Sequence, residues 1–167
     1  MSALPIEPTT QLRAMGSGDL AEVLAIEQRA YAVPWSYGNF IDSIAAAYEA
    51  FVLRDADAAL LGYFLAMKGV DEMHLLNITV APEWHGQGLA RRLLDEVCCL
   101  CRARGCSQLW LEVRVSNLRA RAVYARYGFA EVGLRRGYYP TYPAYPAYPA
   151  VPGGREDAVL MSLAVPA

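Results

Sequence analysis

Residues 74–100 read HLLNITVAPEWHGQGLARRLLDEVCCL, and this stretch decides the fold. It begins with an apolar run that ends at Pro82, as expected of a central strand, because proline cannot continue the hydrogen-bond ladder. From Leu89 onward the apolar residues recur every three or four positions, which predicts an amphipathic helix. Gly86 and Gly88 lie between the two segments. The stretch therefore predicts a strand, a glycine loop and a helix in succession.

A glycine loop that opens a helix can hold a phosphate group, because unpaired backbone N–H groups there meet the positive end of the helix dipole. Gly86 and Gly88 are a weak signal alone, since a tight strand-to-helix turn needs the same residues. The loop lacks the third glycine of the dinucleotide motif and the Gly-Lys-Ser/Thr of a Walker loop. Arg91 and Arg92 follow in the first helical turn, where cations oppose the dipole but favour a bound anion. This conflict indicates a phosphate-bearing ligand.

The segments on either side alternate between predicted helices and strands. The other helices are expected over 19–30, opened by a capping box of Asp19 and Glu22, after the cap Ser36, and from Asn117 to Gly128. The other strands are expected over 51–53, 60–67, 109–113, 129–134 and 158–163. Because no linker divides the chain, these elements predict one mixed α/β (α+β) sheet in a single domain of residues 1–167.

The composition fits a globular domain and disfavours several classes of protein. The chain has 167 residues, of which 55% are hydrophobic, enough to bury a core without disulfides. Its net charge of −2 lacks the basic excess of nucleic-acid-binding domains, so direct nucleic-acid binding is not expected. The N-terminus lacks the features of a signal peptide, and no run reaches the ~18 apolar residues of a membrane span. We therefore expect a cytoplasmic protein without a membrane partner.

Four cysteines crowd into one window of the chain, Cys98, Cys99, Cys101 and Cys106. Such crowding is unlike the spread of a secreted disulfide framework. A zinc site needs ligands that converge from several directions, and no histidine lies close to this group in the sequence. Because free cysteine behaves as a small hydrophobic residue, we expect buried or half-buried thiols and no metal site.

The chain resembles the GNAT family of N-acetyltransferases, and in particular its RimI-type branch, over nearly its whole length. The similarity lies in NITVAP (77–82), GLA (88–90), LWLEVR (109–114), Asn117 with Tyr124 seven residues on, YGF (127–129), RRGYYPT (135–141) and GREDA (154–158). The resemblance implies a GNAT fold over about residues 10–165, with a mixed, mostly antiparallel sheet of about seven strands flanked by about four helices. It also implies acetyl transfer from acetyl-CoA to the N-terminal alanine of a ribosomal protein.

The same resemblance assigns acetyl-CoA, as co-substrate, to the glycine loop and the strand before it. The backbone of Ile78 and Val80 would bond the pantetheine arm, and the Val80 amide would hold the oxyanion. The full set of implied contacts is Ile78, Val80, His85, Gly86, Gln87, Gly88, Leu89, Ala90, Asn117 and Tyr124. His85 departs from the family pattern, which has glutamine or arginine there, so its contribution is open.

Two side chains stand out as candidates for the chemistry. From the residues alone, Glu112 is either functional or a solvated carboxylate at a strand end, and Tyr124 is either functional or a core aromatic residue with a satisfied hydroxyl. The resemblance implies that Glu112 is the general base that deprotonates the amine and Tyr124 the general acid that protonates the departing thiolate. A carboxylate base suits an α-amino group, whose pKa of ≈ 7.7–8.0 makes it about 300-fold easier to have neutral at pH 7 than lysine.

Two loops flanking the acetyl group are expected to select the acceptor, with Trp35 in the first and Tyr138 and Tyr139 in the last; Glu112 also belongs to this substrate-binding set. A Tyr-Pro-Ala repeat in the loop 141–153 departs from the RimI-type pattern. The repeat is either a tolerated loop expansion or a changed peptide lid or docking tract.

Three functions follow from these observations. The leading hypothesis is an acetyltransferase for a protein N-terminus, with a ribosomal protein as substrate and a monomer favoured. A second hypothesis is a GNAT enzyme that acetylates a small amine, a lysine or an antibiotic. A third is a non-catalytic acyl-CoA-binding adaptor, which predicts CoA binding without turnover.

Overall fold

The computed structural model describes residues 9–140 and 154–167 of the chain. These residues form a sheet of seven strands in the order β1-β2-β3-β4-β5-β7-β6. The strands are β1 Gln11–Ala14, β2 Glu49–Arg54, β3 Leu60–Lys68, β4 Glu72–Val80, β5 Gln108–Arg114, β6 Ala130–Pro140 and β7 Arg155–Ala164. The described α-helices are α1 Leu20–Ala30, α2 Tyr37–Ala45, α3 Leu89–Ala103 and α4 Leu118–Tyr127. The predicted fold is confirmed, whereas the repeat at 141–153 lies outside the described residues.

The sheet is antiparallel throughout except between β4 and β5, which run parallel. The parallel ladder is short and joins residues 72–75 to residues 108–111. Beyond this ladder β4 pairs only with β3, and β5 pairs only with β7. The two strands therefore separate within the sheet and leave a wedge between their C-terminal halves, called here the β4–β5 gap.

Helices cover both faces of the sheet. Helix α3 packs on one face through residues such as Leu94, and α2 packs on the other through Phe40. Strand β3 contributes to both layers, because successive side chains of a strand point to opposite faces. Phe64 accordingly lies in the α3 layer, and Tyr63 and Leu65 lie in the other. Among the helices of residues 9–140 and 154–167, none has the length and apolar character needed to span a membrane.

Capping residues set the start of two helices as predicted. The Ser36 hydroxyl accepts a hydrogen bond from the Asn39 amide at 3.2 Å, where α2 begins. The Asn117 side chain accepts one from the Ala120 amide at 3.1 Å, where α4 begins. The four cysteines are free, with Cys99 exposed and the other three, Cys98, Cys101 and Cys106, buried in the α3 layer.

The predicted capping box of Asp19 and Glu22 is wrong. Helix α1 begins one residue later than expected, and the Asp19 side chain makes no cap hydrogen bond to it. The Asp19 carboxylate instead accepts hydrogen bonds from Arg13 at 2.9 Å and from Arg54 at 2.8 Å. Glu22 pairs with the same Arg54 at 3.0 Å. Strands β1 and β2 bring these two arginines to the carboxylates, and their charge outcompetes the local capping pattern.

Two edge strands also differ from the prediction. Strand β1 was not expected, because its four residues are mostly exposed and carry little apolar alternation. Strand β6 continues to Pro140 rather than ending at Leu134. Its ladder with β7 shifts register between Arg135 and Tyr139, and this irregularity hides the strand from a pattern of period two. Tyr138 and Tyr139 therefore lie on a strand and not in the predicted loop.

Asp19→Asn is expected to lower the free energy of unfolding by about 2 kcal/mol at neutral pH. Burial alone would raise the pKa of Asp19, but hydrogen bonds from Arg13, the Gly16 amide and Arg54 lower it from 3.8 to about 2. The stabilisation is therefore complete above pH 3.8 and is lost as the pH falls towards 2. Urea denaturation across this range checks the prediction. Asp57→Asn, at an exposed aspartate, should change stability little; an equal cost at both sites would contradict the assignment.

Gly62→Ala is expected to destabilise the protein by about 1–3 kcal/mol, because β3 and β4 approach closely there. A Cβ at Gly62 would lie 2.6 Å from the Thr79 carbonyl oxygen and 3.0 Å from Leu93, so a strand must move. Gly133→Ala is the matched control, since a Cβ at Gly133 would meet nothing nearer than 3.9 Å, on Leu160. The free energies of unfolding of the two variants should differ; similar values would show that the strands adjust without cost.

Candidate active site

The backbone of β4 faces the β4–β5 gap at alternate residues. Ala81, directly after β4, lies opposite Leu61 of β3, and its amide donates to the Leu61 carbonyl at 2.8 Å. These two residues therefore form a hydrogen-bonded pair of the antiparallel ladder. In an antiparallel ladder such pairs alternate with pairs whose backbone groups point away from the partner strand. The register places Val80 and Ile78 in pairs of this second kind. Both residues predicted to contact CoA therefore direct their N–H and C=O groups towards the gap.

Side chains of the protein donate hydrogen bonds to the carbonyls of Ile78 and Val80. The Tyr31 hydroxyl donates to the Ile78 carbonyl at 3.0 Å. The Nε2 atom of His85 lies 2.9 Å from the Val80 carbonyl and donates to it. His85 thus fastens the start of the glycine loop to the end of β4, a role that a glutamine or arginine could share. What the gap offers a bound ligand at these positions is the amides of Ile78 and Val80.

The glycine loop leads into α3, whose N-terminus has no side-chain cap. Gly86 and Gly88 have φ angles of 77° and 79°, in the left-handed region that favours glycine. Gly88 is the N-cap of α3 and offers no side chain, so the first amides of this helix lack a side-chain acceptor. Arg91 and Arg92 are both exposed, and Arg92 pairs with Glu96 along α3. The loop therefore presents backbone donors at the positive end of a helix dipole, which suits a phosphate group.

The remaining residues predicted to contact the cofactor differ in how available they are to a ligand. Gln87, Leu89 and Ala90 lie in this loop and in the first turn of α3. Asn117 is partly committed to another role, because its side-chain oxygen caps α4 at Ala120. Only its amide nitrogen is left to donate to a ligand.

Glu112 is the first residue of β5 beyond the parallel ladder, at the apex of the gap. Its side chain is 5% exposed, so it is not a solvated carboxylate. The Oε2 atom contacts Nε2 of His74. The Oε1 atom is buried and accepts no hydrogen bond from the described residues. Nε of Arg135 lies 3.2 Å from Oε1, within ion-pair distance but not aligned for a hydrogen bond. Oε1 is therefore a buried acceptor available to a further donor.

Two tyrosine hydroxyls bond the strands that border the gap, and a third tyrosine lies near them. Tyr31 bonds the Ile78 carbonyl of β4, and Tyr139 donates to the Glu112 carbonyl of β5 at 3.0 Å. Tyr124 of α4 packs against Phe129 at 5.7 Å between ring centroids and is close enough to Tyr31 and Tyr139 to interact with them electrostatically. Burial, and then Tyr31 and Tyr139, raise the pKa of Tyr124 above that of an ordinary phenol. With this raised pKa the hydroxyl stays protonated at neutral pH, and within the described residues it makes no hydrogen bond, so it can donate to a ligand.

Of the three aromatic residues predicted to select the acceptor, the structure brings two to Glu112. Tyr139 bonds its backbone, and Tyr138, which is 39% exposed, has a pKa raised by burial and then by the Glu112 charge. The two rings contact each other at 4.8 Å between centroids. Trp35 packs against Phe40 at 5.2 Å, on the α2 side of the sheet. In the described ranges no contact joins Trp35 to Glu112.

A buried polar network that no sequence motif predicted lies beside the gap. The Glu27 carboxylate accepts hydrogen bonds from the Tyr63 hydroxyl, from the Trp35 amide at 3.0 Å and from Asn77 at 3.2 Å. Asn77 in turn accepts from Thr79 at 2.8 Å. Burial raises the pKa of Glu27, against the effect of these donors. The network ties the end of α1 to β4, and its one sequence signal was a glutamate on the apolar face of a helix.

His74 and Arg135, the two basic side chains beside the Glu112 carboxylate, were missed as well. Arg135 belongs to the RRGYYPT motif and His74 to the strand before the glycine loop, but neither position points to Glu112 in the sequence, and each reaches it through strand pairing. In the parallel ladder His74 lies opposite Trp110, and Glu112 follows Trp110 two residues later on the same face. Such a contact depends on the register between strands far apart in the chain, which one sequence does not reveal.

Comparison with known proteins agrees with this geometry. Residues 20–129 match the Acetyltransferase (GNAT) family. The ribosomal protein bS18-alanine N-acetyltransferase of Escherichia coli (strain K12) is 39% identical over 147 residues, covering 88% of this chain and 92% of that protein. The protein of the same name from Salmonella typhimurium is 37% identical over 151 residues, covering 90% and 95%. The crystal structure of the ribosomal-protein-S18-alanine N-acetyltransferase from Escherichia coli matches with a TM-score of 0.80 at 36% identity, covering 95% of this chain and 96% of that one. The chain belongs to the GNAT family of acetyltransferases.

Proposed function

We propose that this protein transfers the acetyl group of acetyl-CoA to the α-amino group of an N-terminal alanine, on a ribosomal protein of the bS18 kind. The observation that carries the proposal is Glu112, a buried carboxylate at the apex of the β4–β5 gap with one oxygen that receives no hydrogen bond from the part of the chain that the structure describes. The similarity to bS18-alanine N-acetyltransferases over most of the chain supports the choice of acceptor.

The gap and the glycine loop together fit acetyl-CoA, which GNAT acetyltransferases use. Amides of the loop and of the first turn of α3 would bind the pyrophosphate. A Cβ at Gly86 or Gly88 would meet no atom within 4 Å, so the space in front of this loop is open. The amide of Ile78 would bond the pantetheine arm as an added strand does, which leaves the amide of Val80 for the acetyl end of the ligand. Bound there, acetyl-CoA supplies an activated thioester.

The residues around the gap can then carry the transfer. Glu112 Oε1 accepts the proton that the amine loses as its nitrogen bonds to the acetyl carbon. The Val80 amide donates a hydrogen bond to the acetyl oxygen, where negative charge develops. Tyr124 donates to the sulfur as the C–S bond breaks. Because its pKa is raised above about 10 while that of a thiol is about 8.5, Tyr124 acts first as a hydrogen-bond donor. The proton taken by Glu112 leaves to solvent, and the thiolate gains a proton from the Tyr124 hydroxyl, which regains one from solvent.

An α-amino group suits this site better than a lysine does. A single carboxylate base requires an amine that is already largely neutral. An α-amino group meets this requirement better, because its pKa is about 7.7–8.0 whereas that of lysine is about 10.4. Tyr138 and Tyr139 flank Glu112 and can contact the residues that follow the terminal alanine. A peptide N-terminus therefore meets both the base and a wall for its chain.

Two peptides test the proposal. One carries a free N-terminal alanine and no lysine, and the other has a blocked N-terminus and one lysine. Purified protein and acetyl-CoA are incubated with each, and mass spectrometry locates any added acetyl group. We expect acetylation of the alanine peptide alone, and loss of it in Glu112→Gln.

Other outcomes would replace the proposal. Acetylation of only the lysine peptide, or of a small amine in place of both peptides, would favour the second hypothesis of the sequence analysis. Binding of acetyl-CoA with no transfer to any of these amines would favour the adaptor. Calorimetric titration with CoA separates this last case from a misfolded preparation.

A further inference from the structure

His74 joins the buried carboxylate to the surface. Its Nε2 atom contacts Oε2 of Glu112 across the β4–β5 ladder. The His74 side chain is 24% exposed, whereas that of Glu112 is 5% exposed. The imidazole therefore lies at the edge of the site with one ring nitrogen on the carboxylate.

The chemistry of the pair fixes the direction of this hydrogen bond. An ionised carboxylate only accepts hydrogen bonds, so His74 must carry a proton on Nε2 whether its ring is neutral or charged. With Oε2 bonded in this way, Oε1 is the oxygen left without a hydrogen bond. The contact thus decides which oxygen of Glu112 is available to an acceptor amine.

We propose that His74 is a positioning residue for acetyl transfer, holding Glu112 by Oε2 so that Oε1 receives the proton of the amine. The inference rests on the proposed function, in which Glu112 is the base. It goes beyond that function by naming the donor that orients the base.

No other described side chain can orient the Glu112 carboxylate in this way. The charged or titratable side chains around the Glu112 carboxylate are those of His74, Arg135, Tyr138 and Tyr139. Arg135 is 51% exposed and misaligned at 3.2 Å from Oε1. Tyr139 bonds the backbone carbonyl of Glu112 and not its carboxylate, and the charge of Glu112 raises the pKa of Tyr138 without a hydrogen bond between these two described side chains. Within residues 9–140 and 154–167, His74 is the one hydrogen-bond donor to the carboxylate.

Two substitutions separate positioning from packing. His74→Leu removes the donor at similar bulk, and His74→Gln keeps an N–H donor near the position of Nε2. We expect His74→Leu to lower kcat by about 10- to 100-fold with the KM for acetyl-CoA unchanged, and His74→Gln to restore most of kcat. An unchanged kcat in His74→Leu would overturn the inference, and so would a His74→Gln variant as slow as His74→Leu.

A spectroscopic readout tests the contact without any acceptor. The chain has two histidines, so ¹⁵N spectra are assigned with His74→Gln alone. Well above the ordinary histidine pKa of about 6.5, the ¹⁵N shift of His74 Nε2 should be that of a hydrogen-bonded N–H donor, and Glu112→Ala should move it. An Nε2 shift that Glu112→Ala leaves unchanged would overturn the inference. If the protein acetylates a different amine, the proposed acceptor fails, but the kinetic comparison proceeds with that amine.

Discussion

Glu112→Gln is expected to lower kcat by about 10²- to 10⁴-fold, the usual contribution of a general base. Glutamine keeps the shape of the side chain, and its oxygen can still accept a hydrogen bond from His74. An amide does not take up a proton at neutral pH, so the amine must lose its proton to solvent. The KM for acetyl-CoA and the free energy of unfolding should stay near their wild-type values, because the glycine loop and β4 are unchanged. Steady-state kinetics and urea denaturation measure all three quantities.

The control for this substitution is Glu131→Gln, on the exposed part of β6. Glu131 pairs with Arg121 at 3.1 Å and contacts no group of the site. Loss of this ion pair in Glu131→Gln should leave kcat unchanged. A wild-type kcat in Glu112→Gln would remove Glu112 from the mechanism. Equal losses of kcat and of acetyl-CoA binding would instead make it a structural residue of the gap.

The sequence predicts those parts of the fold whose signals are local. The stretch 74–100 shows a strand, a glycine loop and a helix, because apolar period, proline and glycine act within a few residues of one another. The caps Ser36 and Asn117 were predictable for the same reason, since a side-chain oxygen bonds an amide three residues on. The resemblance added the number of strands and pointed to Glu112 and Tyr124.

Contacts between distant segments account for what was missed. Asp19 and Glu22 have the spacing of a capping box, but the strands bring Arg13 and Arg54 to them, and a charged partner outweighs a cap. His74 and Glu112 meet only because β4 and β5 pair in one register. A pattern of period two or 3.6 carries no information about which strands become neighbours.

The edge strand β6 shows the same limit at the side of the site where we propose that the acceptor peptide binds. Its exposed residues and its register shift leave no regular alternation, so a loop was expected where a strand continues. As a result Tyr139 reaches the backbone of Glu112 as part of the sheet, and Arg114 stacks on the Tyr139 ring at 4.5 Å. A wall built on a strand positions a peptide more rigidly than a loop does.

Tyr124→Phe is expected to lower kcat by about 10²-fold, at the low end of acid catalysis, because the departing sulfur loses its hydrogen-bond donor. The ring packs in the core and phenylalanine preserves that packing, so stability should change little. Since burial, Tyr31 and Tyr139 raise the pKa of Tyr124 above the ordinary value of 10, no inflection from this group is expected in the rate between about pH 6 and 9. The measurement is kcat as a function of pH for both proteins.

Tyr127→Phe provides the matched control on the same helix. The Tyr127 hydroxyl donates to Asp95 at 2.7 Å, on the surface of α3 and away from the gap, so its loss should leave kcat unchanged. If the two variants are equally active, the Tyr124 hydroxyl has no part in the departure of the thiolate, and the sulfur must gain its proton directly from water. If only Tyr124→Phe is slow while it binds acetyl-CoA normally, the hydroxyl acts on the transition state, because binding of the ground state is the same with and without it.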